Sequence, residues 1–177
     1  MRKVTLGLAN SLDNFIARTN GTCDWLRWDE ETAAISSAYL QTIDTFLIGR
    51  KTYEVMLSNG MTSYTGFRNC VFSRTLQHSD DPNVEIIAED AAAFVRQIKG
   101  EAGKGICVYG GSELACSLFA ANLIDEVVLN IHPVLLGSGI PLFYEMERQI
   151  DLELIEAKPL QQSKLLVTYR VKNGGNL

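Results

Sequence analysis

Apolar residues recur along this chain in two regimes. Up to about residue 121, short apolar runs alternate with stretches whose apolar positions repeat every three to four residues, the helical spacing. The runs predict strands over residues 3–9, 45–48, 69–73, 84–88 and 105–109. The periodic stretches predict helices from Asp29 to about Thr42, over 51–57, from Asp90 to about Lys99, and over 112–121. Asp29 and Asp90 have the chemistry of N-caps, and Glu30 and Glu31 would sit in a first turn where acids suit the helix dipole. Ile35, Tyr39, Leu40 and Ile43 form one expected apolar side, and Phe94, Val95 and Ile98 another. Residues 10–24 read as a loop around a short apolar piece, Phe15-Ile-Ala17. Beyond residue 125 the pattern changes to longer strand-like runs over 126–134, 151–158 and 164–172, with no helix of that length between them.

Strand–helix alternation implies parallel pairing, and consecutive strands imply antiparallel pairing at a sheet edge. The expected fold is α/β and three-layered: a mixed, mainly parallel sheet flanked by helices, with antiparallel C-terminal strands. No repeat or linker interrupts the chain, so residues 1–177 are expected to form a single domain.

Composition narrows the classes. Hydrophobic residues make up 46% and charged residues 21%, ordinary for a globular chain. The net charge of −5 opposes a mainly electrostatic nucleic-acid binder. Cys23, Cys70, Cys107 and Cys116 form no Cys-x-x-Cys pair, and two histidines offer little for a metal, so buried reduced thiols and no metal site are expected. No apolar run approaches the ~20 residues of a membrane span, and no signal-peptide core opens the chain. A cytoplasmic location away from membranes is the expectation.

The candidate chemistry lies in two glycine-centred turns. Phe46-Leu-Ile-Gly-Arg-Lys-Thr-Tyr-Glu54 and Ile106-Cys-Val-Tyr-Gly-Gly-Ser-Glu-Leu114 each run as a strand, break at glycine and enter a helix. Such a turn presents free backbone N–H groups and the positive end of a helix dipole, a place for phosphate. Arg50 can grip phosphate with two N–H groups, Lys51 adds charge, and Thr52 adds a hydroxyl. Gly110 and Gly111 let backbone and ligand touch. Gly110-Gly111 is not Gly-x-Gly-x-x-Gly, so the simple dinucleotide fingerprint does not apply. Gly100-Glu-Ala-Gly-Lys-Gly105 precedes a strand and lacks the Gly-Lys-Ser/Thr ending, so it reads as a connector.

These segments resemble the dihydrofolate reductase-like superfamily, and within it the group related to the reductase domain of bacterial riboflavin biosynthesis. Leu8-Ala-Asn-Ser-Leu-Asp-Asn-Phe-Ile-Ala17 is similar to the first strand and mobile loop beside the nicotinamide. Ile48-Gly-Arg-Lys-Thr-Tyr-Glu54 is similar to the phosphate-holding segment, and Val71-Phe-Ser-Arg-Thr75 to the strand end that meets the adenosine ribose and its 2′-phosphate. Val108-Tyr-Gly-Gly-Ser-Glu-Leu114 resembles the glycine pair against the pyrophosphate and nicotinamide. Leu123-Ile-Asp-Glu-Val-Val-Leu129 and Pro133-Val-Leu-Leu-Gly-Ser-Gly-Ile-Pro-Leu-Phe143 are similar to the riboflavin-type reductases.

The resemblance implies an NADPH-dependent reductase of a small heterocycle, pterin-like or pyrimidine-like, of the 5-amino-6-(5-phosphoribosylamino)uracil reductase type. It assigns the cofactor to Ala9, Ile16, Gly49, Arg50, Lys51, Thr52, Ser73, Arg74, Thr75, Gly110, Gly111, Ser112, Glu113 and Leu114. Ser73, Arg74 and Thr75 favour NADPH over NADH. A carboxylate near the first helix is expected to serve catalysis, with Asp29, Glu30 or Glu31 as candidates, although helix-start roles explain these acids equally. Trp25 and Trp28 are candidates to stack on the substrate, and Asp13 to touch it or, more readily, to brace its loop. A homodimer is expected, with the long apolar C-terminal strands, especially residues 126–134, at its interface. Two other readings stay open: dihydrofolate reductase itself, and a nucleotide-binding protein that kept the fold without turnover.

Overall fold

Each apolar run that ends at glycine or a polar residue becomes a strand of one sheet in the computed structural model, which describes residues 1–172. In chain order the elements are β1 (Val4–Ser11), β2 (Phe15–Ala17), α1 (Glu30–Leu40), β3 (Ile43–Gly49), α2 (Arg50–Ser58), β4 (Arg68–Phe72), β5 (Val84–Ile87), α3 (Ala91–Gly100), β6 (Gly105–Gly110), α4 (Ser112–Ala120), β7 (Glu126–His132), β8 (Ile140–Pro141), β9 (Leu152–Pro159) and β10 (Leu165–Val171). Eight strands pair in the order β5-β4-β3-β6-β1-β7-β10-β9, and β2 pairs with β8 in a small second sheet.

Strands β5, β4, β3, β6, β1 and β7 run parallel to one another. β10 is antiparallel to both β7 and β9. The C-terminal antiparallel pairing expected from the sequence is therefore present, with one difference. Segment 126–134 was grouped with the antiparallel strands, yet β7 lies parallel to β1, with Ala9 opposite Asn130. α4 provides the crossover that lets β7 start at the same end as β6.

The sheet buries both faces. Val4, Leu6, Leu47, Ile106 and Val108 pack on one side with Phe94, Val95 and Ile98 of α3 and Leu114, Ala115 and Leu118 of α4. On the other side Phe46, Ile48, Val71 and Cys107 meet Tyr53 and Met56 of α2. α1 behaves differently. Its one buried residue is Thr32, and Ile35, which the periodicity placed in an apolar stripe, is only half-buried. Tyr39 and Leu40 pack on the core around Phe46, as the periodicity predicts, the start of α1 gives a second hold described below, and the rest of its sheet-facing side forms a wall.

Among the described residues no helix is long and apolar enough to cross a membrane. All four cysteines are free, and burial was expected of them. Cys70 and Cys107 are buried, Cys116 is half-buried, and Cys23, in the loop between β2 and α1, is exposed.

Candidate functional site

The helices of this fold start in two ways. α1 begins at Asp29, whose carboxylate accepts the Thr32 N–H at 2.9 Å, and α3 begins at Asp90, which accepts the Ala93 N–H at 2.9 Å. α2 and α4 begin at Gly49 and Gly111, which offer no side-chain cap. Their first N–H groups are left for an outside acceptor, and an anion suits them best.

The two uncapped starts lie together, because β3 and β6 are adjacent and parallel and both end there. A Cβ built on Gly49 would stand 2.9 Å from the backbone nitrogen of Gly111. The Gly110–Gly111 peptide bond is cis, and a Cβ on Gly111 would meet the Thr52 hydroxyl oxygen at 3.1 Å. Glycine at these positions lets two chain segments touch.

A cavity of about 1840 Å³ opens across this junction. Ala9, Ile16, Gly49, Arg50, Lys51, Thr52, Ser73, Arg74, Thr75, Gly110, Gly111, Ser112, Glu113 and Leu114 all line it. Several are tied to neighbours. Arg50 is paired with Glu54 at 2.6 Å and Lys51 with Glu113 at 2.8 Å, both on exposed side chains. Ser112 donates to the carbonyl of Pro141, joining α4 to β8. Ser73 accepts the N–H groups of Thr75 and Leu76 at 3.2 and 2.8 Å, so its hydroxyl shapes the turn that presents the exposed Arg74.

The proposed substrate and acid residues fare differently. Trp28 lines the cavity and is 66% exposed. Trp25 does not line it: the ring is buried and meets His132 edge-on, with centroids 5.4 Å apart. Asp13 also lies off the cavity. It accepts from Ser11, Leu136 and Gly137, bracing the β1–β2 turn against the loop before β8, and these bonds hold its pKa below the usual carboxylate value. Asp29 and Glu30 do not line the cavity either. Glu30 is exposed on the outer side of α1. Asp29 is occupied by Lys164, whose side chain is fully buried and donates to Asp29 at 2.7 Å, to the Arg27 carbonyl at 3.2 Å and to the Thr32 hydroxyl. Lys164 and the Thr32 donors pull the Asp29 pKa down to about 2, so it stays ionised and is no proton donor near neutral pH. The α1 wall of the cavity presents Thr32, Ala33, Ile35, Ser36 and Tyr39, none of them an acid.

Of the floor opposite this wall, the sequence reading names only Ala9. Gly7 and Ala9 of β1, Val128 and Asn130 of β7, and Leu166 and Thr168 of β10 share one face and line the cavity. A period-two reading of β7 that asked why Asn130 interrupts an apolar run would have found it. Tyr64 and Tyr109 also line the cavity and pack with buried Phe46, and burial drives the Tyr109 and Tyr39 pKa values far up, so both remain neutral phenols. Burial pushes the Cys107 thiol up to about 11, which leaves it inert. Among the described residues no group of His, Cys, Asp and Glu is placed to hold a metal.

His132, beneath Trp25, accepts the Arg27 N–H through Nδ1 at 3.2 Å. Burial, then the Lys164 and Arg27 charges, lowers its pKa from 6.5 to about 4. The folded state thus binds fewer protons than the unfolded state between those values. The stability this gives is full above pH 6.5 and is lost as pH falls toward 4. Urea titrations are expected to show lower stability at pH 4 than at pH 7, and His132→Asn should make that difference smaller.

With the geometry in place, comparison with known proteins is informative. The RibD C-terminal domain family model matches residues 2–166. The chain belongs to the RibD C-terminal domain family. Two relatives come from Bacillus subtilis strain 168: the uncharacterized protein YwjB is 37% identical over 92% of this chain and 94% of its own, and the uncharacterized protein YyaP is 31% identical over 95% and 94%. Among solved structures, a Shewanella sp. PV-4 protein named for riboflavin biosynthesis superposes with a TM-score of 0.86 at 24% identity, over 97% of this chain and 99% of that one. The Thermotoga maritima diaminohydroxyphosphoribosylaminopyrimidine deaminase/5-amino-6-(5-phosphoribosylamino)uracil reductase gives 0.73 at 16% identity, over 96% of this chain and 56% of that chain. Dihydrofolate reductase from Enterococcus faecalis, solved with NADP(H), gives 0.72 at 15% over 97% of both. These likenesses establish the dihydrofolate reductase-like fold for this RibD C-terminal family member.

Proposed function

We propose that this protein is a cytoplasmic NADPH-dependent reductase of a small pterin-like or pyrimidine-like heterocycle. One observation carries the reading: two uncapped helix N-termini meet at Gly49 and Gly111, inside a cavity whose basic lining residues all gather at that end. The fit to a dinucleotide is chemical. The starts of α2 and α4, with Thr52 and Arg50, offer donors to a pyrophosphate, and Arg74 offers a guanidinium to a 2′-phosphate. Ala9 and Ile16 supply apolar contact for a flat ring further along. When bound, NADPH would supply the hydride. The chain's own part is to bind both ligands, align them on the β1–β7 floor and exclude water beneath α1.

The acid-free α1 wall weighs against dihydrofolate reductase. It leaves the binding protein without turnover as the alternative, which NADPH oxidation against a panel of heterocycles decides. Arg74→Ala is expected to reduce the preference for NADPH over NADH about tenfold, as loss of one charge-assisted contact predicts. An unchanged ratio in paired titrations removes Arg74 from the adenosine end.

We also propose a homodimer, through β9 rather than β7. Both edges of β7 are taken, by β1 and β10. β9 is one of the two edge strands, exposed along its length, and shows Leu152, Leu154 and Ile155 at 41%, 54% and 45% exposure. Such an edge invites a second strand. Sedimentation equilibrium is expected to give a dimer at micromolar concentration and Leu154→Lys a monomer, and a wild-type monomer would end this proposal.

A further inference from the structure

The end of the cavity away from the glycine turns is built for an uncharged ring. Its floor is a strip of one sheet face on which Ala9, Asn130 and Leu166 lie in register, so one amide stands between two apolar side chains. Asn130 lines the cavity, and its Oδ1 is buried without a hydrogen-bond partner among the described residues. A buried amide oxygen left unpaired costs free energy, and because this Oδ1 is closed off from solvent, a turn of the amide about its broad χ2 torsion is what would bring it to a ligand N–H. Thr168, two residues along β10 from Leu166, and Thr32 and Ser36 on the opposing wall add hydroxyls but no charge.

Most charges near this end are paired, and Arg27, which does not line the cavity, gives its guanidinium to the Gln162 carbonyl at 3.2 Å. Lys158, in register with Leu166, is paired with Glu31 at 3.7 Å. Asp24, which lines the cavity on the loop side, is bound by Arg18 at 2.6 Å. Lys164 beneath Thr32 has its three donors satisfied. The basic lining residues, Arg50, Lys51 and Arg74, belong to the other end.

From this we infer that Asn130 reads the lactam edge of an uncharged heterocycle, and that the substrate carries neither a phosphate nor a carboxylate at this end. The inference rests on the proposed cofactor placement for which end is which. Asn130 is then a specificity-determining residue: its amide offers an acceptor and donors to a ring N–H and C=O, as a pterin or pyrimidine presents them.

The test uses the full chain and three arms. First, Asn130→Leu removes an unpaired buried amide, so its melting temperature without ligand is expected to rise by about 2–4 °C. A fall would show that Asn130 supports the fold and would overturn the inference. Second, with the cofactor end saturated by NADP⁺, wild type is titrated calorimetrically with lumazine, 6-methylpterin and uracil. At least one ring is expected to bind, and at least tenfold more weakly to Asn130→Leu, with NADP⁺ affinity changed less than twofold. No ring binding, or equal binding by the variant, counts against the inference. Third, inorganic phosphate added to NADP⁺-loaded protein is expected to give no saturable thermal shift beyond chloride at equal ionic strength, and a saturable shift would reveal an anion site and overturn the uncharged class. Failure of NADP⁺ to bind would sink the cofactor reading alone, because the first arm and ring titrations of the free protein still judge Asn130.

Discussion

Gly49→Ala is expected to weaken NADPH binding at least tenfold while the chain still folds. The added methyl would lie 2.9 Å from the Gly111 nitrogen, a backbone atom that cannot swing aside as a side chain would. Relief requires β3 and β6 to part at their ends, and overpacking of this kind costs about 1–3 kcal/mol. The strain falls where the starts of α2 and α4 converge, so the first loss is the aim of their N–H groups. One misaligned set of donors worth 1.4 kcal/mol is a factor of about ten in affinity. Gly100→Ala is the matched control, since a Cβ there meets nothing within 4 Å and the site is remote from the cavity lining. Calorimetric titration of both variants checks this, and equal affinities would mean the glycine contact is only a packing feature.

The second large effect concerns Lys164. Its ammonium is fully buried and joins β10 to the start of α1 through Asp29, Thr32 and the Arg27 carbonyl. Lys164→Met keeps the length of the side chain and strands the Asp29 carboxylate beside an apolar group. Removing one member of a buried pair is among the most damaging substitutions, and a drop in melting temperature on the order of 10 °C is expected. Asp29→Ser combined with Lys164→Met should recover more than half of that loss, because serine still caps α1 and no charge is left unpaired. Thermal scans of the single and double variants decide it: equal melting temperatures for the two would show that Lys164 acts by packing alone. Acid provides an independent check. The Asp29 pKa is lowered to about 2, so the stability it confers is present above pH 3.8 and fades as pH falls toward 2.

Lys164 also explains where sequence reading stopped. Asp29 was legible as a helix cap and as a catalytic candidate, because both roles ask for an acid at a helix start. What separates them is a lysine 135 residues away in sequence, whose burial no local pattern reveals. The glycine turns were legible because each is a local strand–turn–helix event, and parallel pairing of β3 with β6 then brings them together. The N-caps of α1 and α3 were legible for the same reason.

Long-range features were not. Phe15-Ile-Ala17 appeared as an apolar piece in a loop, yet it pairs with the two residues of β8. That contact needs Gly139, where a Cβ would fall 2.3 Å from the Ala17 carbonyl oxygen. The α1 periodicity predicts an apolar side, and Tyr39 and Leu40 do pack on the core, but the same side, with Ser36, also borders the cavity. A wall that meets ligand and a wall that meets core differ little in composition. Asn130 hid for a related reason: one polar residue in a strand reads as a solvent position until its register opposite Ala9 is known.

The most direct measurement is calorimetric titration of the wild-type chain with NADPH and, separately, NADH. The account predicts one site per chain, micromolar or tighter for NADPH and clearly weaker for NADH. Absence of binding by both nucleotides would contradict it and reduce the meeting of Gly49 with Gly111 to a structural turn.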